Sequence, residues 1–231
     1  MRLRILFLLF VALPCTGAEP LRVAVAANFR ATLEAINAEY AKHSDQRIVI
    51  SSASTGVLAT QILHGAPFDL FLAADQAAPE QLVEQQAERY KATPACYAIG
   101  RLALAGGDRA ALATPGNSVA IANPATAPYG RAAMTVLERP TFTAGATRKL
   151  VRGNNVVQAL QFYISGAVDL ALLPRAIAPE GSTDIPAAWH APLEQHLLLL
   201  HDTPAARDYL TWLRSDRVRA LIENAGYEPC P

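Results

Sequence analysis

Three segments of this 231-residue chain put small polar residues where a strand gives way to a helix: Asn28, Ser54-Thr55-Gly56 and Asn154-Asn155. A helix start carries N–H groups with no intrahelical partner and a partial positive charge. Several such starts facing one cleft can hold an anion with no Lys or Arg present. In open α/β sheets these segments lie beyond the carboxyl ends of the strands, where ligands bind. Each segment also has a plainer use as an ordinary helix cap, and spacing alone leaves both readings open.

Signatures of catalysis are missing. The chain has no GxGxxG after a strand, no GxxxxGK[ST], no HExxH and no GxSxG. His43, His64, His190, His196 and His201 lack metal-ligand spacing and read as surface or loop residues. Asp69 and Asp75 flank an apolar run and read as caps or ion-pair partners. Cys96 and Cys230 form no CxxC and have no His near them in sequence, which disfavours a catalytic thiol.

The elements that must position these residues alternate. Leu21 to Ala27 reads as a buried strand running into Asn28 as a helix cap, with Phe29, Leu33, Ile36 and Tyr40 at helical spacing. Strands are expected at Arg47–Ser52, Phe68–Ala73, Tyr97–Ala105, Ser118–Ala122, Val168–Leu173 and Leu197–Leu200. Helices are expected after Gly56, from Pro79 to Arg89, from Pro128 to Glu138, after Asn155, from Pro204 to Arg214 and from Asp216 to Ala225. Such alternation predicts an α/β protein of parallel sheet layered between helices, in two lobes.

Composition narrows the class. Lys and Arg total 20, Asp and Glu total 20, and this balance argues against a polyanionic partner such as nucleic acid. With 52% hydrophobic and 17% charged residues the chain is not disordered. The apolar run Ile5 to Leu13 covers about half a bilayer, too short for an integral membrane protein. It follows Arg2 and Arg4 and precedes Thr16-Gly17-Ala18, the layout of a secretory signal peptide over 1–18. Pro14 directly before Cys15 argues against a lipoprotein site. Removing 1–18 leaves 18 basic and 20 acidic residues, a net charge of −2, and two cysteines. In an oxidising compartment that pair predicts one Cys96–Cys230 disulfide, with two buried free thiols as the alternative.

The segments LRVAVAANF, SSASTGVLATQI and GAPFDLFLAAD, followed in order by ANPATAPYG, NNVVQAL and LRSDRVRALIENAGY, resemble the periplasmic molybdate-binding proteins of ABC importers, the ModA family. The resemblance spans about residues 20 to 228. It implies a type II periplasmic-binding-protein fold: lobe I from 19–97 and 194–231, lobe II from 98–193, and a ligand cleft between them. Carried over by motif, the oxyanion-binding residues are Asn28, where many relatives have Ser, the Thr55 hydroxyl, Tyr129 and the backbone N–H of Val156. Many relatives add a Tyr after the last strand of the second lobe. Here that stretch reads Leu172-Leu173-Pro174, and Tyr129 is the expected replacement.

The expected function is therefore capture of molybdate or tungstate, as ligand rather than cofactor, for delivery to an ABC permease and its ATPase. No catalysis, no direct metal ligand and a monomer are expected. A receptor for sulfate or another tetrahedral anion is the neighbouring alternative; an exported enzyme or a sensory binding domain are alternatives of other classes. Molybdate is fully ionised at neutral pH, so its oxygens only accept hydrogen bonds, and a site made solely of donors suits it. Charge-assisted hydrogen bonds contribute roughly 1.5–3 kcal/mol each, so about six of them sustain sub-micromolar binding.

Overall fold

The computed structural model describes residues 19–231. The expected export signal, 1–18, lies outside the described residues. β1 (Leu21–Ala26) is buried at every residue except Arg22, the mark of a strand covered on both faces. It turns through 27–29 into α1 (Arg30–Tyr40), which buries Leu33, Ile36 and Tyr40. β2 (Ile48–Ala53) leads into α2 (Thr55–Leu63), and β3 (Leu70–Leu72) into α3 (Ala77–Gln85). β4 (Ala95–Gly100) and β5 (Leu102–Ala105) follow, then β6 (Ser118–Ala122), α4 (Pro128–Leu137), β7 (Lys149–Gly153), α5 (Val156–Ile164) and β8 (Leu170–Pro174). β9 (Thr183–Asp184), β10 (Leu193–Leu199), α6 (Pro204–Leu213) and α7 (Asp216–Asn224) complete the described chain.

Two five-stranded sheets result, ordered β2-β1-β3-β10-β4 and β7-β6-β8-β5-β9. In the first, β1 pairs parallel with β2 and β3, while β10 runs antiparallel to β3 and β4. In the second, β6 pairs parallel with β7 and β8, while β5 runs antiparallel to β8 and β9. The expected parallel sheets are thus mixed, because each sheet takes in a strand that has crossed from the other lobe. Helices cover both faces: α1, α6 and α7 pack on one side of the first sheet and α2 and α3 on the other.

Three expectations are corrected. Tyr97–Ala105 is not one strand: the chain leaves the first sheet at Gly100 and enters the second at Leu102, with Arg101 between. Gly100-Arg101 interrupts the apolar pattern for only two residues, too short a break to mark the crossing by itself. Leu197–Leu200 begins four residues earlier than expected, at Leu193, and β7 was not foreseen because Lys149 and Arg152 interrupt its apolar pattern. Asn28 does not cap α1; Phe29 occupies that position without any side-chain cap, and the Asn28 carboxamide is engaged elsewhere.

The crossing is strapped. Cys96 on β4 is disulfide-bonded to Cys230, with Cα atoms 6.0 Å apart. Ile99 and Glu228 exchange main-chain hydrogen bonds of 2.8 and 2.9 Å. Arg101 pairs with Asp184 at 2.5 Å and with Glu228 at 3.5 Å.

Candidate functional site

Between the lobes lies a small cavity lined by Asn28, Ser54, Thr55, Tyr129, Asn155 and Val156, with alanines and Pro128 filling the remainder. All four residues expected to bind the anion meet there, from four separate segments. Among the described residues no Lys, Arg, Asp or Glu lines it, so helix starts and hydroxyl dipoles are what it offers an anion.

Two helices aim their first turns at the cavity. α5 is capped by Asn155, whose Oδ1 accepts from the N–H groups of Val157 and Gln158, both at 3.0 Å. Val156 N–H is not among the cap's partners, and Val156 itself is buried. Asn154, also expected to cap, instead donates its main-chain N–H to Gln158 Oε1. α2 starts at Thr55 after Ser54, whose extended backbone fits a cap position but whose hydroxyl caps nothing. Ser54 Oγ is buried with no partner among the described residues. Thr55 Oγ1 accepts from Ala74 N–H at 3.0 Å, which leaves its proton for another acceptor.

Tyr129 reaches the cavity because α4 starts with Pro128 at its first turn and Gly130 against the end of β6. A Cβ on Gly130 would lie 2.4 Å from the Ala122 carbonyl oxygen, so only glycine lets the helix sit this close. The Tyr129 ring is buried, its hydroxyl has no partner among the described residues, and burial holds its pKa well above the ordinary tyrosine value. It remains a neutral O–H, able to donate.

Asn28 is surrounded by a polar network. Its Nδ2 donates to Gln195 Oε1 at 2.7 Å and to Tyr227 Oη at 3.2 Å, and Tyr227 Oη donates to the Asn28 carbonyl at 2.8 Å. Phe29 packs edge-on against Tyr97 and Tyr227, fixing both phenols beside Asn28. Sequence reasoning missed Gln195, Tyr97 and Tyr227. Gln195 stands between Glu194 and His196 in β10, so its polarity does not single it out, and nothing local tells which elements it faces. Ser54 stood in the quoted hydroxyl cluster and was legible there.

The lobes touch directly. Gly56 N–H donates to the Thr126 carbonyl at 2.9 Å, and Arg131 on α4 pairs with Asp75 beyond β3 at 2.5 Å. Asp75 also accepts from Ala78 N–H, and Asp69 accepts from Arg22 N–H at 2.7 Å. Asp75 thus serves as a cap and an ion-pair partner, while Asp69 holds the main chain at the start of β1. Among the described residues no group of three or more His, Cys, Asp or Glu could hold a metal ion.

Comparison with known proteins places this architecture. The family described as bacterial extracellular solute-binding protein matches residues 21–228. The molybdate-binding protein ModA of Azotobacter vinelandii is 32% identical over 228 residues, covering 91% of this chain and 90% of that protein. ModA of Rhodobacter capsulatus is 32% identical over 231 residues, covering 94% and 91%. A solved structure of the A. vinelandii periplasmic molybdate-binding protein matches with a TM-score of 0.82, over 91% of this chain and 100% of that one. The two mixed sheets and the cleft between them are the type II periplasmic-binding-protein arrangement. The chain belongs to the bacterial extracellular solute-binding proteins and, within them, to the molybdate-binding ModA family.

Proposed function

We propose that this protein captures molybdate or tungstate between its lobes in the periplasm and delivers it to an ABC permease driven by its ATPase. The supporting observation is the buried, uncharged cavity where the Thr55, Ser54 and Tyr129 hydroxyls meet the free start of α5. Every polar group named there has a proton to give. Thr55 and Tyr129 act through their hydroxyls and Val156 through its N–H. Asn28 acts through its main-chain N–H, its carboxamide nitrogen being held by Gln195 and Tyr227. The reading includes export by the 1–18 signal and a monomer whose two lobes close about the crossings, the first of which lies at Gly100-Arg101.

Calorimetric titration of the mature protein with molybdate, tungstate, sulfate and phosphate tests this. One-to-one, sub-micromolar binding of the first two is expected, with sulfate far weaker. Tyr129→Phe should weaken molybdate binding about tenfold or more, the loss of one charge-assisted hydrogen bond. Tight sulfate binding without molybdate heat would change the cargo. Heat from none of the four would end the oxyanion reading.

A further inference from the structure

The turn between β1 and α1 leaves one main-chain N–H beside the cavity without an acceptor. Ala27 N–H donates to the Ala53 carbonyl and Phe29 N–H to the Ala26 carbonyl, both at 2.9 Å. Between them, Asn28 N–H has no acceptor among the described residues, and Asn28 lines the cavity.

The Asn28 carbonyl does not enter the α1 ladder, which begins one residue later with Leu33 N–H on the Phe29 carbonyl. Asn28 is 2% exposed, so that carbonyl needs a partner from the protein. The partner is the Tyr227 hydroxyl at 2.8 Å, and the Tyr227 oxygen in turn accepts from Asn28 Nδ2 at 3.2 Å. One phenol therefore holds Asn28 by main chain and side chain together.

Tyr227 comes from far along the chain but is placed by local rules. α7 ends at Asn224, and Gly226 takes a left-handed φ of 92°. Gly226 N–H bonds the Glu223 carbonyl at 2.9 Å and Tyr227 N–H the Ile222 carbonyl at 3.4 Å, the paired bonds of a glycine C-cap. That cap turns Tyr227 back into the apolar cluster that holds Ile222 and Phe29. Phe29 meets the Tyr227 ring edge-on at 5.3 Å. The next residue is fixed as well, because Glu228 exchanges main-chain hydrogen bonds with Ile99. Ring, hydroxyl and following chain are thus all held.

We propose that Tyr227 is a positioning residue for oxyanion capture: by holding the Asn28 carbonyl and carboxamide it fixes the β1–α1 turn with the Asn28 N–H toward the anion. A site whose donors are already oriented avoids the cost of ordering them when the ligand arrives. Tyr227 does not line the cavity, so its effect on the ligand passes through Asn28. The inference rests on the proposed oxyanion reading and deepens it at one donor.

Tyr227→Phe removes the hydroxyl and keeps the ring against Phe29. Tyr209→Phe is the matched control: Tyr209 is a buried phenol on α6 whose hydroxyl donates to Asn37 Oδ1, outside the cavity. Both variants should melt a few degrees below wild type, since each leaves an acceptor unpaired. By calorimetry, molybdate affinity should fall about tenfold or more in Tyr227→Phe and stay within about twofold of wild type in Tyr209→Phe. In proton–nitrogen spectra the Asn28 amide proton should move downfield when molybdate is added to wild type, and move less in Tyr227→Phe. Affinity of Tyr227→Phe within about twofold of wild type overturns the proposal, and so does an equal loss in both variants, the mark of general loosening. Should Tyr227→Phe not fold, the Tyr227 hydroxyl-proton resonance of wild type decides. It should shift on addition of molybdate, because the anion polarises the turn to which that hydroxyl is bonded, and an unmoved resonance overturns the proposal. A wild type that binds neither molybdate nor tungstate removes the oxyanion reading and this inference with it; wild-type binding alongside unaltered Tyr227→Phe removes this inference alone.

Discussion

Thr55 illustrates how a residue's second hydrogen bond decides what its first can do. Its oxygen is occupied by Ala74 N–H, so the hydroxyl presents a proton to the cavity. The phenols around the site are kept in donor form by burial. Tyr97, Tyr129 and Tyr227 there, and Tyr209 on α6 away from it, all have pKa values raised above the ordinary 10.0, desolvation of the phenolate being the leading cause in each. Because the folded state holds these protons more tightly than the unfolded chain, their contribution to stability is complete below pH 10. It is lost progressively as pH rises from there toward the folded-state values. Thermal unfolding followed from pH 7 to 11 should show a melting temperature that declines above pH 10 more steeply than between 8 and 9. An equal slope throughout would contradict the assignment. Molybdate affinity should stay flat from pH 7 to 9, since the Tyr129 proton is not lost in that range.

Among elements, the β4–β5 crossing carries the tightest constraint. Gly100 ends β4 where Tyr129 Oη comes closest, and the position occupied by any other residue's Cβ lies 2.0 Å from that oxygen. Gly100→Ala must displace either the Tyr129 ring or the second lobe, and both are required for the cavity. Each lobe keeps its own packed sheet, so the melting temperature of ligand-free protein should move by only a few degrees while molybdate affinity falls by a hundredfold or more. Titration and a melt on the same sample check this; unaltered affinity would show that α4 can shift without consequence. The exposed Arg131–Asp75 pair also joins the lobes, but exposed pairs contribute about 0–1 kcal/mol. Closure therefore rests on ligand contacts and the buried junction more than on this pair.

For the molecule as a whole, the C-terminal tail ties the site to the crossing. Tyr227 bonds Asn28, Glu228 pairs with Ile99 and Arg101, and Cys230 is bonded to Cys96. The disulfide closes a loop of 134 residues, and in the chain-entropy account a loop of that length stabilises by about 4–5 kcal/mol. Cys96→Ser with Cys230→Ser should lower the melting temperature by roughly 10 °C, given about 2–4 °C per kcal/mol for a chain of this size. The fold itself should survive, because the other tail contacts remain. A shift below about 3 °C would place the stabilisation elsewhere.

The alternation of strands and helices, the cap chemistry at Asn155, the Pro128-Tyr129-Gly130 helix start and the Cys96–Cys230 pairing were legible in the sequence, because each depends on local pattern or simple counting. Motif order singled out Asn28, Thr55, Tyr129 and Val156, which the fold brings to one cavity. The tertiary structure alone decided the rest. Apolar residues on both sides of Gly100-Arg101 read as one strand, and only the pairing partners reveal that the chain changes sheets there. Asn28 has the chemistry of a cap, yet Gln195 and Tyr227, distant in sequence, claim its carboxamide. Gln195 and Tyr227 themselves carry no local signal, because a buried hydrogen bond between residues more than 160 positions apart is a property of packing, not of spacing.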